Sequence, residues 1–299
     1  MKRVLFLSFL ILAYGDKGLL PLTRPDISLY TPAQRAIILW NGKKEVLILS
    51  TNVSAQEKTK ALEILPLPSV PEIKEGDFSY FEKVFKLIRK NSPLPKDLLT
   101  FKGKERPGIE IIFKKEIGPH NITTVRANDY KEFKDWTEKF LKTYSLGGTI
   151  PERLADLIGD YLRRGIKIFA FDLIDLTEEE SSLKPLIYEF SSPKLYFPLL
   201  ISNLSSGKTE IQLFVFAKGI PAIWFSDAPL NFAYYERLGK KVKPIIFKVA
   251  QKDFGEIFPQ YRNFFSSPPY FTSLHYSGDL TELKSDLNFS QLFYLKEEK

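Results

Sequence analysis

The sequence contains no cysteine, one methionine and two histidines in 299 residues, and each scarcity excludes chemistry. Without cysteine there is no disulfide, no thiolate nucleophile and no thiolate metal ligand. His120 and His275 stand 155 positions apart, so no common structural zinc pattern can be written and no metal is expected. No G-x-S-x-G elbow, G-x-G-x-x-G turn or EF-hand loop occurs. Ser206-Gly207-Lys208-Thr209 ends like a phosphate loop, but Ser202 stands where the first glycine is required. Asp172 and Asp175 lie in a strand-like run and point to opposite faces, which makes them poor co-ligands. No cofactor is expected. The chemistry left is His120 or His275 as a base, or a carboxylate pair brought together in space.

Long hydrophobic runs are also missing. The longest opens the chain, where Met1-Lys2-Arg3 precedes the apolar stretch Val4 to Tyr14. Its eleven residues fall short of the roughly twenty that span a bilayer. Ala13-Tyr14-Gly15 supplies small residues before Asp16, so residues 1–15 read as a signal peptide. The expectation is export to the periplasm or the extracellular space, with no stable membrane anchor after cleavage. Losing Lys2 and Arg3 leaves 41 basic against 36 acidic side chains. The charge is spread rather than clustered, which argues against nucleic acid and suits an anionic envelope surface. Abundant Lys and Glu with few labile residues match the composition of heat-adapted proteins.

RAIILW (35–40) and EVLILS (45–50) flank Asn41-Gly42, a dipeptide that supplies the positive φ values of a tight hairpin. ALEIL (61–65) reads as a third strand. Pro66, Pro68 and Pro71 then end it in a rigid extended joint. Asp77 precedes a helix with Phe78, Phe81, Phe85 and Ile88 on one stripe. Two further helices are expected over 129–143 and 152–164, the second stopping at Gly165. GIEIIFKKEI (108–117) and ITTVRA (122–127) read as strands, and IFAFDLIDL (168–176) as a central one. Further strands follow in PLIYEF, KLYFPLLIS and EIQLFVFA, with Ser205–Lys208 as a hairpin turn. The fold class is α+β: a mostly antiparallel sheet covered by about three helices. The chain divides into 1–15, an N-terminal α+β portion over 16–180, and a β-rich portion over 181–299 on the same core.

Aromatic residues crowd the last eighty positions. Trp224, Phe225, Tyr270, Phe271 and Tyr276 are the candidate contact residues of a binding surface. The competing reading is that these rings wrap the sheet as an apolar cover.

Several phrases stand in a fixed order: Gln34-Arg35-Ala36, LPLPSVP (65–71), GPHNITTV (118–125), IFAFDLIDL (168–176), LYFPLLIS (195–202) and YFTSLHYSGDLTELKSDLNF (270–289). The series resembles an exported bacterial and archaeal family, domain-of-unknown-function family 2330. That resemblance implies no catalytic residues. The expectation is an exported, non-enzymatic protein that binds an envelope protein or small ligand. The alternatives are an envelope hydrolase using His120 or a carboxylate pair, and a self-associating structural component.

Overall fold

The computed structural model describes residues 18–21, 29–30, 33–55, 59–94, 121–143, 152–176, 181–182, 184–205 and 207–294. The expected signal peptide, the strand at 108–117 and His120 lie outside them. The strands that build the two main sheets and one projecting hairpin are, in chain order, β1 (Gly18–Pro21), β2 (Ala33–Trp40), β3 (Lys44–Ala55), β4 (Thr59–Leu67), β5 (Glu72–Glu75), β6 (Asn121–Arg126), β7 (Ile168–Leu176), β8 (Leu186–Ser191), β9 (Lys208–Ala217), β10 (Asn231–Phe232), β11 (Tyr234–Arg237), β12 (Lys240–Pro244) and β13 (Tyr270–Asp279). Four α-helices lie among the described residues: α1 (Ser79–Lys90), α2 (Tyr130–Thr143), α3 (Glu152–Arg163) and α4 (Gln251–Ile257).

The larger sheet runs β10-β13-β9-β2-β3-β8-β5 and the smaller runs β1-β4-β7-β6. Pairing along both is antiparallel except for β9 beside β2. The architecture is α+β, as expected, and the larger sheet draws strands from both sides of residue 180.

Strand alternation explains the layers. In β2 and β3, Ala36, Ile38, Leu47 and Leu49 face the smaller sheet, while Ile37, Leu39, Val46 and Ile48 face α1 and α4. The smaller sheet is covered on its far side by α2 and α3. There Phe133 lies 5.1 Å from Phe169, and Trp136 lies 4.8 Å from Phe171. The order is helix, small sheet, large sheet, helix. Burial on both faces accounts for the nearly continuous apolar sequence of β7.

Local signals act as predicted at the helix ends. Asp77 accepts the Ser79 N–H at 2.6 Å, and its hydrogen bonds to the Ser79 side chain first and to that N–H second hold its carboxyl below the usual range. At the end of α3, Gly165 adopts φ +81°. The Ile166 N–H then reaches the Tyr161 carbonyl at 2.9 Å and the Gly165 N–H reaches Leu162 at 3.0 Å, the paired bonds of a Schellman cap.

Three expectations need correction. In the β2–β3 hairpin only Gly42 takes positive φ, at +87°. Asn41 contributes its side chain instead, accepting the N–H groups of Lys43 and Lys44 at 3.0 and 2.9 Å. Pro66 does not end β4, which pairs with β7 as far as Leu67. The Pro66 carbonyl accepts the Tyr196 hydroxyl at 3.1 Å. A strand residue directs N–H and C=O the same way, so the missing donor faces that tyrosine, beyond the last pair with β1 at Ile64. The joint proper is Pro68–Pro71, which carries the chain from the small sheet to the edge of the large one. Finally, the strand Leu195–Phe197 does not pair with β9 as a hairpin. Leu200–Leu204 is a 3₁₀ segment, and the strand before it, Leu195–Phe197, pairs with Leu287–Phe289.

Candidate binding surface

Six large apolar side chains are strongly exposed among the described residues: Val70, Trp224, Phe225, Leu238, Val242 and Tyr294. Two of them, Trp224 and Phe225, are neighbours. Ile220–Pro221 pairs with Leu292–Phe293, and the Ala222 N–H bonds the Gln291 carbonyl at 3.1 Å. The chain then turns through a 3₁₀ segment at Ile223–Phe225, closed by Phe225 and Ser226 N–H bonds of 2.9 Å. This turn lifts Trp224 and Phe225 outward, 58% and 68% exposed.

Trp224 is the hub. Its ring lies 4.9 Å from Phe293, 6.1 Å from Phe225 and 6.3 Å from Phe232, at tilts of 42° to 59°. Such tilts form a contoured ridge rather than a flat platform. Gly219 allows the tail to lie close: a Cβ there would meet Leu292, Phe293 and Tyr294 atoms at 3.0 Å, tighter than packed atoms tolerate.

The other candidate contact residues are elsewhere in burial terms. Tyr270, Phe271 and Tyr276 are 8%, 0% and 7% exposed. Phe271 packs in the helix-covered core against Phe214, Phe216 and Phe247. Tyr276 folds back and donates its hydroxyl to the Asp279 carbonyl. Tyr270 lies 6.3 Å from Tyr294. The expected five-residue surface is therefore reduced to Trp224 and Phe225. The covering role describes Tyr235, Phe258, Tyr261, Phe265 and Phe271, all buried. Composition alone could not divide the rings, because neighbouring positions in short turns alternate between core and solvent.

His275 lies on β13 opposite Gln212 of β9 and Asn231 of β10, and Gln212 lies opposite Arg35 of β2. Burial first, then the charge of Lys241, hold its imidazole below the ordinary pKa. His275 Nδ1 and the Oγ of Ser273, two residues earlier, are both buried without a hydrogen-bond partner. The serine and histidine share a face but do not form the nucleophile–base contact that acyl transfer needs.

Carboxylates do meet. Glu63 and Asp172 are register partners on β4 and β7, each 2% exposed. They sit under Tyr188 of β8, whose hydroxyl is pushed well above its ordinary pKa by burial and then by those two charges. A hydrolytic pair must reach a glycosidic bond and water. This pair is sealed between two sheets. Two more buried carboxyls hold backbone. Glu45 accepts the Tyr196 N–H at 2.9 Å, and Asp286 accepts the Leu200 N–H at 2.8 Å and the Tyr161 hydroxyl at 3.0 Å. Burial raises Glu45 well above the usual carboxyl range and Asp286 to about 6. Among the described residues no group of three His, Cys, Asp or Glu side chains could hold a metal ion, and no helix is long and apolar enough to cross a membrane.

Among curated proteins no significant match is found. Two solved structures are loosely similar. Baculovirus P35 has 8% identity over 90% of this chain and 98% of its own, with a TM-score of 0.46. A mutated baculovirus P35 after caspase cleavage has 9% identity over 87% of this chain and 97% of its own, with a TM-score of 0.40. Likeness at that level carries no argument. A family model does match, over residues 22–223, ending one residue before Trp224. The chain belongs to DUF2330, a family described as uncharacterized protein conserved in bacteria.

Proposed function

We propose that this protein is exported and binds a protein partner at the cell envelope through the ridge formed by Trp224 and Phe225. The observation that supports this reading is the exposure of Trp224 and Phe225 side by side, with Trp224 packed on Phe293 and Phe232. Exposed apolar clusters of this kind mark interaction sites, and Trp and Tyr dominate the energetics of protein interfaces. The tilted rings suit the uneven surface of a protein better than the flat face of a sugar.

The test places a photo-reactive phenylalanine analogue at Phe225, with a control at the exposed Lys252, in the native cell. A discrete adduct with one envelope protein, at 225 only, is the expected result, and Trp224→Ala abolishes it. An adduct of this chain with itself replaces the proposal with self-association. Equal labelling at 225 and 252 removes the site. Export is tested separately: the mature chain should begin at Asp16, and intact protein confined to the cytosol would contradict the reading.

A further inference from the structure

The hairpin of β11 and β12 stands apart from every other sheet, and nothing in the aromatic ridge accounts for it. Its root is fixed. Tyr235 is buried and donates its hydroxyl to the Ile88 carbonyl at 3.0 Å. The Ala233 and Ile245 backbone bonds tie both ends to Ser273 and to each other. Its tip is free. Leu238 is 91% exposed and takes φ +53°, followed by Gly239 at +76°.

A left-handed leucine is costly, since its Cβ crowds the backbone there and glycine or asparagine fits better. A fully solvated leucine side chain returns no packing for that cost. Val242 is also exposed, at 50%, and occupies the bulge that the register shift after Tyr235 creates. Around these two apolar side chains stand Arg237, Lys240, Lys241 and Lys243, all exposed, with Glu236 the one carboxylate on the hairpin. Lys241 is steered by the Tyr234 ring, 4.9 Å below its ammonium.

We infer that this hairpin docks on an anionic lipid bilayer, with Leu238 and Val242 entering the headgroup region and the four cations contacting anionic lipid around them. Charge complementarity selects the occupant. An apolar protein groove would accept the leucine but not a ring of cations. A soluble polyanion would take the cations but give the leucine nothing. A bilayer surface offers both negative charge and hydrocarbon, the counterparts of the cations and apolar side chains that the hairpin exposes. The inference does not depend on the aromatic ridge.

Co-sedimentation of the full mature chain with vesicles tests it. Vesicles of phosphatidylcholine with about a third phosphatidylglycerol should bind the protein at low salt, and phosphatidylcholine alone should not. Lys240→Glu with Lys241→Glu should weaken binding at least tenfold, as should raising salt toward 1 M. Leu238→Asn should weaken it several-fold while leaving the unfolding midpoint unchanged or raised, since asparagine suits the left-handed turn. That midpoint shows the variant is folded. Absence of binding to the anionic vesicles overturns the proposal. So does wild-type binding by either variant: by the charge variant because attraction then lies elsewhere, by Leu238→Asn because nothing then enters the bilayer.

Discussion

The two faces of the large sheet are both buried, yet they are filled with different chemistry. Toward α1 and α4, aliphatic side chains such as Ile37, Leu39 and Val84 pack with a cluster of rings: Phe214, Phe216, Phe254, Phe258, Phe265 and Phe271 interlock at centroid distances from 5.0 to 6.1 Å. Toward the small sheet, apolar side chains surround four buried carboxyls and the tyrosines Tyr161, Tyr188 and Tyr196. Hydrocarbon packing is indifferent to protons. Buried carboxyls are not, because each must either lose its charge or find donors. The face toward the small sheet, which buries the carboxyls, is therefore the more pH-sensitive of the two.

The largest effect expected is on the ring-filled face. Phe216 is fully buried, with Phe271, Phe258 and Phe254 at 5.0, 5.3 and 5.8 Å. Phe216→Ala should cost about 3–5 kcal/mol in denaturant unfolding. The loss should be the same at pH 5 and pH 7. A loss that varies with pH would break the contrast.

The opposite face should respond to pH in the unusual direction. Asp286 titrates near 6 in the folded chain, against 3.8 as its ordinary value. The folded state therefore binds the proton more tightly. The stability this group contributes is complete below pH 3.8 and is lost as pH rises through about 6, by up to about 3 kcal/mol. Glu45, also raised, adds in the same sense. Asp286→Asn should therefore gain on the wild type between pH 4 and pH 7, measured as the difference in unfolding free energy. A constant difference across that range would mean that the carboxyl titrates normally.

Much of this layout was legible in the sequence because periodicity reports which side of an element is buried. Of the expected α1 stripe, Phe81 and Ile88 are buried and Phe78 and Phe85 half-buried, and the alternation in 35–40 and 45–50 assigns side chains to the two faces of the sheet. The same alternation placed Asp172 and Asp175 on opposite faces. Asp175 is indeed exposed and meets Lys60 at 2.6 Å, while Asp172 is buried. Glu45 was also in phase with Leu47 and Leu49, so its burial could have been read from the pattern. Its tendency to occupy the surface outweighed that signal. The candidate site was less legible. Whether a ring at 224 or at 271 faces solvent depends on which distant segment pairs with it, here 292–293, and no local rule encodes that partner.

Tyrosine hydroxyls allow the contrast to be sharpened at matched chemistry. Tyr235→Phe removes a bond to the Ile88 carbonyl on the ring-filled face, and Tyr161→Phe removes one to Asp286 on the other. Each should cost about 1–2 kcal/mol. The Tyr161→Phe cost should grow from pH 4 to pH 7, because the carboxylate it leaves behind is the charged form. The Tyr235→Phe cost should stay level. Parallel pH profiles for the two variants would show that the faces differ in composition but not in electrostatics.

The smallest effect belongs to the charges that bridge the helices outside the ring-filled core. Lys90 at the end of α1 reaches both oxygens of Asp253 in the first turn of α4, at 2.8 and 2.7 Å. The lysine side chain is 63% exposed, so water and salt screen the pair and the long side chain loses freedom in forming it. Lys90→Met should change stability by less than about 0.5 kcal/mol, and 1 M salt should erase even that. A loss above about 2 kcal/mol, persisting in salt, would show that α1 and α4 are held to the sheet by this contact and not by the rings beneath them.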